Sequence, residues 1–145
     1  MKIMNDPRAL RISLTVVAAL IATVVLAWGQ SRPMHSPIYN PKTETTFTGV
    51  IEKVSEVPGP GRGTGTHLVV KGDKETMEVH VGPTWYLNQK GYSFAKDDKI
   101  EVVGSKVQYG GTDVIVARKI TKGDTTWTLR NEQGIPLWSR QGDRP

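Results

Sequence analysis

The chain predicts an all-β fold: a small five-stranded barrel with a short helix between its third and fourth strands, a C-terminal hairpin, and one membrane-spanning helix ahead of it. Three features lead there. Residues 12–28, "ISLTVVAALIATVVLAW", carry no charge. Beyond them, short alternating runs rich in Val, Ile and Thr are separated by Gly, Asn and Asp turns. The longest helical signal after residue 45 is a single brief insert, "GPTWYLNQKGYSF".

The apolar run comes first. Seventeen residues at 1.5 Å each make a helix of about 26 Å, near the lower limit for crossing a bilayer but longer than the apolar core of most cleaved signals. Trp28 and Arg32 suit a membrane interface, which favours a retained anchor, whereas Ala27-Trp28-Gly29 approximates a peptidase site. Anchor and cleaved signal are both open, and either one exports the rest of the chain. Lys2, Arg8 and Arg11 precede the span. That bias places the N-terminus in the cytoplasm and the domain periplasmic or extracellular, on a single-pass protein of the cytoplasmic (inner) membrane.

Residues 29–45, with three prolines and no apolar period, read as an extended linker. The domain then occupies residues 46–139 and leaves 140–145 as a tail. Strands are expected at about Phe47–Val54, Thr66–Lys71, Thr76–Val81, Lys99–Lys106 and Asp113–Ile120. Pro83 suits the first turn of the helical insert and Gly91 its end. The segment "TTWTLRNEQGIPLWS" forms a hairpin turning at Asn131–Gly134, and Trp85, Phe94, Trp127 and Trp138 are expected in core or lid roles. Five strands with a helix between the third and fourth are the order of an oligonucleotide/oligosaccharide-binding (OB) barrel.

Composition narrows the chemistry. The 145 residues have a net charge of +5; from residue 32 onward sixteen Lys and Arg face thirteen Asp and Glu, a net of +3. This mild excess does not call for a nucleic-acid partner. The chain has no cysteine, which excludes disulfides, thiolate metal sites, thiol nucleophiles and a lipid-bearing cysteine.

Four sets of residues bear on function. "VPGPGRGTGTH" has glycines at 59, 61, 63 and 65, an alternation that matches no phosphate loop and leads into a strand instead of a helix. It is read as a loop between strands, with Arg62 at its tip. In "HLVVKGDKETMEVH", symmetric pairing about Asp73-Lys74 puts His67 opposite His80 with Glu78 on the same face. The three form a candidate zinc or copper site; two solvated histidines are the plainer reading. Lys106, Tyr109 and Arg118, with Arg62, are candidates for binding an anionic oligomer, glycan or nucleic acid. Asp97-Asp98 reads as turn chemistry, and no grouping points to catalysis.

"TFTGVIEKV", "MEVHVGPTWYL", "FAKDDKIEVVGSKVQYGGTDVIVARKI" and "WTLRNEQGIPLW" resemble the exported bacterial OB-fold proteins, with an added N-terminal anchor. The resemblance implies a stress-related or ligand-binding role in the envelope, with no catalytic residues to carry over. The expectation is therefore a non-enzymatic interaction module without a cofactor. Its partners would be the membrane and a protein or membrane complex that it serves as an accessory subunit.

Overall fold

A computed structural model describes residues 37–59 and 63–139. The expected span at 12–28, Arg62 and the tail lie outside the described residues. Among the described residues no helix is long and apolar enough to cross a membrane.

Six strands form the domain: β1 (Glu44–Pro58), β2 (Thr64–Lys71), β3 (Thr76–Pro83), β4 (Lys99–Tyr109), β5 (Thr112–Lys122) and β6 (Thr125–Thr128), with helix α1 (Thr84–Lys90) between β3 and β4. β1 pairs antiparallel with both β2 and β4, β2 with β3, and β4 with β5. A parallel pairing of β3 with β5, at Glu78–His80 against Val114–Val116, closes these five strands on themselves. β6 pairs with the far end of β5, from Lys119 to Lys122.

Alternation drives this arrangement, because successive strand residues face opposite sides. Leu68 and Val70 of β2, and Met77, Val79 and Val81 of β3, are buried on one face with Ile51, Ile100, Val102, Ile115 and Ala117. Each Val, Leu, Ile or Met among them contributes about 1.5–3 kcal/mol by leaving water. β5 departs from alternation: Val114, Ile115, Val116 and Ala117 are all buried. It carries β4 on one edge and β3 and β6 along the other, so its backbone is paired on both edges.

The expected strands are all present but extend further. β1 and β2 stay paired out to Pro58 and Thr64, and Gly59 N–H donates to Gly63 C=O at 2.9 Å. Most of "VPGPGRGTGTH" is therefore strand, and the connection shrinks to its centre. The linker ends earlier than expected. Asn40 caps a single 3-10 turn at Pro41–Thr43, its N–H donates to Ser105 Oγ, and Glu44 already belongs to β1.

Pro83 stands at the helix N-cap, one residue before the expected position, and Gly91 ends α1 at φ 71°. Tyr86 and Leu87 of α1 enter the core, whereas Trp85 is 55% exposed, contrary to its expected core or lid role. Phe94 and Trp138 do pack against the core. The expected C-terminal hairpin is reduced. β6 pairs with β5, and beyond it a single bridge joins Arg130 and Pro136 across the Asn131–Gly134 turn. Asp98 accepts from Ala95 N–H and pairs with Lys122 at 2.8 Å, which is turn chemistry.

Candidate metal centre on the β2–β3 face

The centre starts from a register. The turn at Gly72–Glu75 is closed by Gly72 N–H donating to Glu75 C=O, and the symmetric pairing beyond it sets His67 opposite His80 and Val69 opposite Glu78. Leu68, Val70, Met77 and Val79 use the inner face, which leaves His67, Glu78 and His80 together on the other.

On that face the imidazoles stack, with ring centroids 3.9 Å apart and planes inclined by 30°. One carboxylate oxygen meets both: Glu78 Oε1 lies 2.9 Å from His67 Nδ1 and 3.2 Å from His80 Nε2. Only the first contact is a hydrogen bond. His80 Nε2 is within reach of the oxygen but misaligned, so this buried nitrogen has no hydrogen-bond partner. The ligand atoms of the three residues all lie within 4.8 Å of one another.

The surroundings grade from dry to wet. The His80 side chain is 10% exposed, His67 17% and Glu78 36%. Tyr109, at the end of β4, sets its ring edge-on to His80 at a centroid distance of 5.2 Å. Burial drives the His80 pKa down to about 4, helped by the neighbouring His67 and by Arg130, and opposed by Glu78. The imidazole is thus neutral at ordinary pH, with a lone pair to offer.

Of the residues expected to bind an anionic oligomer, Arg62 lies outside the described residues, and Lys106, Tyr109 and Arg118 each have partners within the chain. Arg118 grips Glu44 through two bonds of 2.7 Å, from Nε and Nη2, and only 12% of its side chain is exposed. Glu44 also accepts from the Tyr39 hydroxyl, whose pKa is pushed up to about 12 by burial and by that carboxylate. Lys106 lies between two acids, 3.6 Å from Glu75 and 4.0 Å from Asp113. Tyr109 belongs to the histidine cluster.

Sequence reasoning misses Arg130. It is partly buried, its Nη1 donates to Gly134 C=O at 3.3 Å, its guanidinium lies 4.9 Å from the Trp138 ring, and its Nε has no partner. Burial brings its pKa down to about 10. Nothing in the "WTLRNEQGIPLW" pattern marks it, because a lone arginine in a hairpin ordinarily faces water.

The model of the MamS/MamX magnetosome protein family matches residues 43–127, more than half of the chain. The chain belongs to this family. The family region runs from the 3-10 turn into β6, so it holds the whole strand ring and all three residues of the centre. Tyr39, Arg130 and Trp138 fall outside it, as does the apolar run at 12–28. No curated protein matches the chain.

Proposed function

We propose that this MamS/MamX family member is a magnetosome-associated, membrane-held accessory protein that works by docking and carries out no catalysis of its own. The family match over the folded domain carries this reading. The uncharged run at 12–28 supports membrane attachment, which confines encounters to a surface and raises the effective concentration of partners there. The strand circuit β1-β2-β3-β5-β4, with α1 between β3 and β4, supports an OB-like barrel as the presented module.

Among the described residues the exposed large hydrophobics are Ile38, Val50, Val54 and Trp85. Trp85 is the aromatic one, on a helix anchored from beneath by Tyr86 and Leu87, and an exposed tryptophan on a rigid support is a common energetic anchor of interfaces. A protein partner is favoured over an anionic oligomer because Lys106 and Arg118 already face carboxylates of this chain.

The test is affinity capture of the full-length chain from detergent-solubilised membranes of cells that form magnetosomes. A stoichiometric protein partner is expected, retained less well by Trp85→Ala by roughly tenfold or more. Recovery of the chain alone, under mild detergents and after cross-linking, contradicts the accessory role.

A further inference from the structure

The geometry points to a divalent transition-metal site formed by His67 Nδ1, His80 Nε2 and a Glu78 carboxylate oxygen, with its remaining coordination positions open to solvent. It is independent of the docking role, and either stands if the other fails.

Three observations converge on it. First, two imidazole nitrogens from adjacent strands crowd a single carboxylate oxygen, at 2.9 and 3.2 Å. With metal bonds of about 2.0–2.1 Å, each nitrogen–oxygen pair so spaced subtends roughly 90–100° at a shared ion, and the two nitrogens, within 4.8 Å of each other, draw together to about 4 Å or less as the ion binds. The backbone register, more than any choice of rotamer, brings these donors together.

Second, metal-free hydrogen bonding leaves the cluster incomplete. His80 is nine-tenths buried, yet its Nε2 has no aligned partner. A buried polar atom left so is destabilising. A cation beside Glu78 Oε1 accepts that lone pair together with the His67 Nδ1 lone pair, and one bound ion satisfies all three donors.

Third, the approach is graded correctly for an ion. Glu78 is the most exposed of the three and His80 the most buried, so an ion enters on the carboxylate side and settles against the imidazole floor. Tyr109 limits the space on the far side of His80. Two imidazoles and one carboxylate form a donor set that suits zinc and ferrous iron, with positions left for water or an exogenous ligand. Magnesium and calcium, which take oxygen ligands, fit it poorly.

The experiment uses tag-free, full-length protein in detergent, titrated with Co2+ and separately with Zn2+ against a Mg2+ control. The expected result is one ion per chain, a Co2+ d–d absorption band, and a rise in Tm with Zn2+ and none with Mg2+. Glu78→Gln, which preserves shape at a half-exposed position, and His67→Ala each weaken binding by about 100-fold, whereas His35→Ala leaves it unchanged. Circular dichroism of the variants confirms that the β fold persists. Absence of Co2+ and Zn2+ binding at micromolar concentrations overturns the site. So does binding that survives Glu78→Gln and His67→Ala, because the ion then sits elsewhere.

Discussion

Gly49 and Gly104 show how single residues let this sheet bend. A Cβ on Gly49 would lie 2.4 Å from the Lys71 carbonyl oxygen, and one on Gly104 would lie 2.4 Å from the Val116 carbonyl oxygen. Both obstacles are backbone, which cannot swing aside as a side chain would. Gly104 sits where the β4–β5 register shifts, and Gly49 two residues before the shift between β1 and β2. Strand glycines at such places mark close backbone approach. Gly104→Ala is therefore expected to cost about 2 kcal/mol or more, read as a lower urea midpoint in equilibrium unfolding. A midpoint equal to wild type would show that the strands have room there. Leu129, fully buried just past β6, makes the complementary point. Leu129→Ala is expected to lose about 2–5 kcal/mol by the same measurement, as deleting a buried leucine leaves a cavity.

Between elements, the clasp of Arg118 on Glu44 ties β5 to the start of β1. Arg118 holds the Glu44 carboxyl below its ordinary pKa, with the Tyr39 hydroxyl adding to the effect. A carboxyl whose folded pKa is depressed adds stability above its unfolded value near 4.5, and that contribution disappears as pH falls through the folded pKa. Glu44→Gln should accordingly flatten the loss of stability below about pH 4.5 while lowering stability at neutral pH by roughly 1 kcal/mol. Thermal melts of both proteins from pH 3 to 7 measure this, and parallel curves would contradict it. The β2–β3 hairpin behaves as a second unit. Because the His67–His80 pairing results from a symmetric turn, it is the part of the candidate site most legible in sequence. Sequence places Tyr109 near a turn but does not foretell its contact with His80. Its contact with His80 depends on β4 and β5 folding back over β3, which no local pattern encodes.

At the scale of the whole domain, the alternation of Val and Ile makes the strands and the inner face readable, and helix α1 is readable from Pro83 and Gly91. Three things lie beyond it. The reach of β1 and β2 into the glycine segment depends on cross-strand bonds between residues that look like loop. The exposure of Trp85 and the burial of Arg130 depend on which side of α1 and of the last turn meets the core. The consumption of Arg118 by Glu44 joins residues far apart in the chain. In each case a long-range partner overrides a short-range preference, as β structure generally allows. The family match then supplies a biological setting that composition and spacing could not. We propose that this β domain works at the magnetosome from a membrane attachment. Fractionation of cells that make magnetosomes, with full-length protein tracked by immunoblot through high-salt and carbonate washes, tests it most directly. The protein is expected to stay with the washed magnetosome fraction; its release into the soluble fraction, or retention only with other membranes, would overturn this placement.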